Sequence, residues 1–174
     1  MKKRNTVLQA LFMAIAAIIL TAMIVAAMAF AVYAEAEETH DTWICEEYLG
    51  YIEEISAEYV ICPELIMAII EAESSGNPEA VRGLCKGLMQ VSERWHSDRM
   101  ERLGVTDLYD PYSNILVGTD YIMELAEEYG DLAMVLMIYN GSSDAEERWE
   151  SGNYTNYATS IIERAAQLER LHGK

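Results

Sequence analysis

The chain has 174 residues and a formal net charge of −17, from 12 Lys and Arg against 29 Asp and Glu. That length accommodates one domain with an appendage. Phosphate neutralisation needs a basic surface, and no run of Lys or Arg supplies one, so nucleic acid is excluded as a partner.

The only charges before Glu35 are Lys2, Lys3 and Arg4, so removing those three from −17 leaves −20 on the rest. This acidity reads as a solvated face that keeps the domain soluble. From Thr6 to Tyr33 only Thr6, Gln9 and Thr21 are clearly polar, and as a helix the stretch would span about 42 Å. That exceeds a bilayer core of roughly 30 Å and a usual signal h-region. The length favours an uncleaved anchor, although Ala29-Phe30-Ala31 and Val32-Tyr33-Ala34 offer small-residue cleavage sites for a signal peptide. With Lys2-Lys3-Arg4 held in the cytoplasm, the rest faces outward either way. The chain therefore divides into a membrane anchor or signal segment (1–34), an acidic spacer (35–41) and one domain (42–174).

Past the spacer a helical period begins. Leu49, Ile52, Ile55 and Tyr59 recur at steps of three and four while glutamates fill the other side, which predicts an amphipathic surface helix. Pro63 suits the first turn of a second helix, and Leu65 to Ala72 follow almost without a polar residue, so this helix is predicted to be buried. Ser75-Gly76-Asn77-Pro78 ends it. Further helices are predicted over Glu93 to Leu103, Pro111 to Tyr129, Asp131 to Tyr139, Ala145 to Glu150 and Tyr154 to Arg170, separated by Gly104, Gly130, Gly141 and Gly152. No alternating pattern predicts a strand. The expected class is all-α, a compact helical domain.

Cys45, Cys62 and Cys85 are odd in number and show no metal-ligand spacing. An exterior location permits a disulfide, for which Cys62 with Cys85 is preferred; buried free thiols are the alternative. His40, His96 and His172 lie far apart and read as incidental. No metal or cofactor is expected. Trp43, Trp95 and Trp149 suit packing anchors better than sugar platforms.

Glu73 closes the buried helix at the mouth of a loop. Burial and the negative end of the helix dipole both disfavour its charged form, which is what a general acid near neutral pH needs. A solvated acid at a helix end is the alternative. Glu71 stands about 200° around the helix from it, so the two face apart. A second acid would have to come from Glu79, Asp107 or Asp110, because a two-carboxylate glycosidase places its pair roughly 5 to 9.5 Å apart.

The run Glu73-Ser74-x-x-Asn77-Pro78 resembles the catalytic motif of the soluble lytic transglycosylases, relatives of goose-type lysozyme. Gly87-Leu88-Met89-Gln90, Asp110-Pro111 with Asn114-Ile115, Gly118 and Tyr121, and Tyr139-Asn140 are similar to three more motifs of that family, in order, over about residues 61 to 160. The resemblance implies a lysozyme-like fold and a substrate, peptidoglycan glycan strands. Glu73 would protonate the oxygen between N-acetylmuramic acid and N-acetylglucosamine. As carboxylate it would then take the proton of the sugar's own 6-hydroxyl, leaving a 1,6-anhydro end.

By the same resemblance Gln90 and the backbone near Met89 would line the sugar groove. Tyr139 and Asn140 would orient Glu73 and the N-acetyl group, and Tyr157 would cover the site or pack in the core. Ser74 is expected to fix the motif by a helix-end hydrogen bond. The chain departs from many members at Arg82 (Ser), at Ser92 (Met) and at Gly141-Ser142-Ser143 (Ala-Gly-Pro), and Arg82 would be either a surface residue or a donor to a stem-peptide carboxylate. A hydrolytic muramidase on the same fold and a non-catalytic wall-binding module are the competing functions.

Overall fold

The computed structural model describes Thr21, residues 23–25 and residues 44–174. Residues 1–41 and 42–174 form two units. The expected anchor and spacer, with His40 and Trp43, lie outside the described residues except for four helical positions, Thr21 and 23–25. Among the described residues no helix is long and apolar enough to cross a membrane.

Seven helices and one small sheet make up the described part of the second unit: α1 (Glu46–Tyr59), α2 (Pro63–Ser74), β1 (Val81–Arg82), β2 (Cys85–Lys86), β3 (Val91–Ser92), α3 (Glu93–Leu103), α4 (Pro111–Tyr129), α5 (Leu132–Tyr139), α6 (Ala145–Ser151) and α7 (Asn156–Leu171). The helices fall within two residues of the boundaries expected from periodicity and breakers. Polar caps explain the shifted starts. Asp131 precedes α5 as a cap accepting from Met134 N, and Thr155 precedes α7 accepting from Ala158 N, each satisfying a first-turn N–H that the helix leaves free.

At the centre lies α2. Leu65 to Ile70 are all buried, so no face of this helix is spared. It packs against α7 and α1, while α4 lies against α1 and α5, and α5 against α7. Apolar burial at this density is the main stabilising term of the unit.

The sheet corrects the all-α expectation. Its strands are antiparallel in the order β1-β2-β3, with Arg82 paired to Cys85 and Cys85 to Ser92. Strands of two residues hold no period of two, so alternation had nothing to reveal. Gly83, at φ +64, turns the chain between β1 and β2.

The expected disulfide is also corrected. Cys62 immediately precedes α2 and its thiol donates to Glu64 and Glu169, whereas Cys85 sits beyond the other end of that helix beside Glu73. Twelve helical residues separate the two ends by about 18 Å, far beyond the roughly 7 Å limit between bridged Cα atoms. All three cysteines are free.

Candidate active site

Glu73 occupies the last turn of α2 with 7% of its surface exposed. The helix ends at the next residue, Ser74, because Ser75 adopts a left-handed conformation at φ 54. Oε1 accepts a 2.6 Å hydrogen bond from the Tyr157 hydroxyl in the first turn of α7. Arg82 approaches from β1: Nη2 donates to the Glu73 carbonyl at 3.2 Å, and Nη1 lies 3.6 Å from Oε2. Burial pushes the Glu73 carboxyl above its usual range, outweighing the opposing pull of Tyr157 and Arg82. The Tyr157 phenol is driven far up by its own burial and by the Glu73 charge, so it remains a donor.

A cleft of about 670 Å³ opens onto this carboxyl, lined among others by Arg82, Cys85, Gln90, Ser92, Tyr139 and Asn140. The turn from Gly87 to Gln90, the floor turn, meets it through Gln90. Gly87 is at φ +77, and a Cβ there would strike Asn114 and the Leu108 carbonyl. Asn114, fully buried on α4, explains the crowding: Oδ1 accepts from Met89 N at 2.8 Å while Nδ2 donates to Lys86 O at 2.8 Å and to Leu108 O at 2.7 Å. Gly118, one turn further along α4, leaves room for Met89, whose Sδ would lie 2.7 Å from an added Cβ. Gln90 takes a strained left-handed φ of 51 and donates through Nε2 to Ala80 O and Gly87 O. Its Oε1, with Ser92 Oγ, is buried without a partner among the described residues.

Of the residues singled out in the sequence, Glu73, Gln90, Tyr139 and Asn140 line one cleft, and Tyr157 touches Glu73. Ser74 and Met89 do not line it. The Ser74 hydroxyl donates to Ile70 O at 3.1 Å, tying off the helix end. Met89 is buried with both backbone groups engaged, its carbonyl accepting from Tyr139 at 2.8 Å. Tyr139 therefore holds the floor turn, and the hydrogen bond to the carboxyl that was expected from it comes from Tyr157. Glu71 turns away from the cleft into an ion pair with Arg164 of α7. Asp110 caps α4 and Asp107 caps a turn through Tyr109 N; neither they nor Glu79 line the cleft.

The far end of the cleft was not foreseen. Trp95 is 72% exposed there, beneath the Arg94 guanidinium, and is no packing anchor. His96 is not incidental: it sits at a kink in α3 and lines the cleft, with Nδ1 2.9 Å from Arg99 Nη1. A guanidinium only donates, so Nδ1 accepts. Burial and the Arg99 charge both lower the His96 pKa and keep the ring neutral. Arg99 is itself buried between Asp120 and Glu124. Nearness to Gln90 in the chain was the one available signal for Trp95 and His96; the Arg99 network joins α3 to α4 and has no local signature.

One group of described residues brings metal-ligand atoms together, Cys62, Glu64 and Glu169 within 4.8 Å. It lies outside the cleft lining, and Glu64 is already held by His172 at 2.8 Å and Lys174 at 2.7 Å.

The family model described as Transglycosylase SLT domain matches residues 50–162. Over 90 residues the chain is 37% identical to a transglycosylase of Enterobacteria phage PRD1, covering 51% of this chain and 32% of that one. Over 93 residues it is 39% identical to the membrane-bound lytic murein transglycosylase C of Shigella sonnei (strain Ss046), covering 49% and 26%. The matched region thus spans about a third or less of either relative's length. Two solved structures share the fold: an inactive Glu-to-Gln mutant of the lytic transglycosylase Slt from Pseudomonas aeruginosa, at 16% identity and TM-score 0.62 over 71% of this chain and 24% of that one, and the 70 kDa soluble lytic transglycosylase from Escherichia coli, at 18% and 0.61 over 72% and 24%.

Proposed function

The chain belongs to the transglycosylase SLT domain family, and on that premise we propose that it is a lytic transglycosylase cleaving the glycan strands of bacterial peptidoglycan. The observation that carries this reading is Glu73, a carboxyl raised by burial at the wall of a cleft large enough for sugar rings. In the protonated form it donates to the glycosidic oxygen between N-acetylmuramic acid and N-acetylglucosamine, and the bond to the muramic C1 breaks. The carboxylate so formed is stabilised by the Tyr157 hydroxyl and removes the proton of the muramic 6-hydroxyl. That oxygen closes on C1, giving a 1,6-anhydro end and a free 4-hydroxyl without consuming water. The substrate's own N-acetyl oxygen shields the positive charge at C1, so one carboxyl suffices. Gln90, Tyr139 and Asn140 shape the groove around the reacting sugars, with Tyr139 acting through the floor turn.

Hydrolysis is the second reading, and Glu124 is what favours it, since this carboxylate lines the same cleft. Its ion pair with Arg99 ties it away from the role of base. Digestion of purified peptidoglycan by the full-length chain, followed by mass spectrometry of the released muropeptides, separates the readings. Anhydro ends, lighter by one water than reducing ends, are expected; reducing ends mean hydrolysis, and no release means a binding module.

We further propose that residues 1–34 anchor the chain in the membrane with the domain outside. The name of the Shigella relative is in keeping with this. Fractionation tests it: the chain should pellet with membranes and resist a carbonate wash, and recovery in the soluble fraction would exclude the anchor.

A further inference from the structure

We infer that Arg82 reads a carboxylate carried by the sugar seated at Glu73, and that in turning to it the guanidinium gives up its contact with the Glu73 side chain. The inference rests on the cleavage proposed above and adds to it the chemical class of the recognised substituent.

Glu73 has neighbours from four elements: Tyr157 from α7, Arg82 from β1, Cys85 from β2 and Tyr139 from α5. Burial pushes the thiol and both phenols up, so all three stay neutral. Arg82 is then the one charged group facing Glu73 among the described residues. Its grip is loose. At 3.6 Å, Nη1 is beyond a good hydrogen bond to Oε2, and only Nη2 is anchored, on the neutral carbonyl.

The side chain is free to turn. Arg82 is 71% exposed and stands at the tip of a hairpin whose neighbours Val81 and Leu84 are themselves mostly exposed, so reorienting it disturbs no core. Arg99, the other arginine lining the cleft, is buried and neutralised by Asp120 and Glu124. Among the described residues that line the cleft, Arg82 is therefore the exposed arginine, in a strongly acidic domain. A planar fork with a single hydrogen bond made, from Nη2 to the Glu73 carbonyl, keeps donors to spare for a carboxylate, which it meets in bidentate fashion. Peptidoglycan offers that group from two sources: the lactyl ether of a muramic residue without a stem, and the stem peptide where present.

When a substrate carboxylate takes the guanidinium, Glu73 loses the charge that favours its ionised form, and burial is opposed by Tyr157 alone. The proton is then retained to higher pH. Recognition of an acidic substituent thus primes the acid.

The experiment compares three strands of the same glycan: one with stems intact, one stripped by an amidase to expose the lactyl carboxylate, and one stripped and converted to the lactyl methylamide. With the wild-type full-length chain, kcat/KM should be about tenfold higher on a carboxylate-bearing strand than on the methylamide. Preference for the stripped strand identifies the lactyl group; preference for the stemmed strand alone identifies the stem. In Arg82→Gln the preference should fall to about one, and Arg82→Lys should restore part of it. The alkaline limb of kcat should also lie at higher pH on the carboxylate strand, in the wild type only. A common loss on all three strands in R82Q means that Arg82 merely positions Glu73 and overturns the inference. So do coincident alkaline limbs in the wild type. Turnover of the methylamide strand measures the cleavage reading separately. Binding of the three strands by Glu73→Gln chains with and without R82Q reads the preference with no turnover needed.

Discussion

The Tyr157 hydroxyl donates a 2.6 Å hydrogen bond to Oε1 of Glu73 across 84 positions of sequence, joining the start of α7 to the end of α2. It holds one carboxyl oxygen in place and leaves the other facing Arg82. Tyr157→Phe keeps the ring and removes this donor. Because the bond favours the carboxylate, its loss raises the Glu73 pKa further. The alkaline limb of the pH–rate profile should move up, while the plateau falls by about tenfold as orientation is lost. A limb that stays in place or moves down would contradict the assignment of Glu73 as the acid.

Glu73→Gln should lower turnover at least about 100-fold, yet stabilise the fold at neutral pH. The carboxyl's pKa is raised in the folded state, so its stability is complete below the unfolded value near 4.3 and is lost as pH rises through the folded value. A neutral amide escapes that loss. Thermal melts should therefore place the variant about 3 °C above wild type at pH 8 and close to it at pH 4. A lower melting temperature at pH 8 would mean that burial does not dominate at this residue.

Asp120 titrates in the opposite sense. Burial alone would raise its pKa, but hydrogen bonds from Arg102, Arg99 and Tyr59 outweigh it and hold the carboxylate low. Its contribution is present above the unfolded value near 3.9 and is lost as pH falls through the folded one. Asp120→Asn leaves the buried Arg99 with a poorer partner and should cost about 3 kcal/mol at pH 7 by urea unfolding. The gap to wild type should narrow at pH 3.

Asn114→Ala removes three hydrogen bonds that a fully buried side chain makes to the floor turn and to Leu108 and should cost about 3 kcal/mol. Asn114→Asp should be no better, since an acceptor then faces the Lys86 and Leu108 carbonyls. Both variants should lose activity more than stability alone explains, because Gln90 hangs on the same turn. Activity assayed well below the melting temperature checks this.

The helices were legible because their signals are local: α2 carries Pro63 at its start, an unbroken apolar run and Gly76-Asn77-Pro78 beyond its end. Glu73 was legible for the same reason, as the carboxyl closing that run. The partner of its hydrogen bond was not. Tyr139 and Tyr157 lie at comparable distances in sequence from Glu73, and only the packing of α7 on α2 decides which phenol reaches it. The strands escaped notice because pairs such as Arg82 with Cys85 are too short to show a pattern. Trp95 was misread because a lone aromatic near a helix start carries no mark of which side meets solvent.

Helix α2 bears a buried acid at each end, and the two have opposite fates. Glu64, in the first turn, is held ionised with a pKa of about 2: burial resists, but Lys174, His172 and Cys62 all donate to it. Glu73, in the last turn, accepts from a single hydroxyl and faces one loosely held arginine and the carbonyl end of the helix. The same side chain thus serves as a rivet at one address and as a proton reservoir about 14 Å along the rod. A cation engineered to meet Glu73 as closely as Lys174 meets Glu64 would turn the reservoir into a second rivet, leaving a well-folded chain with nothing to donate.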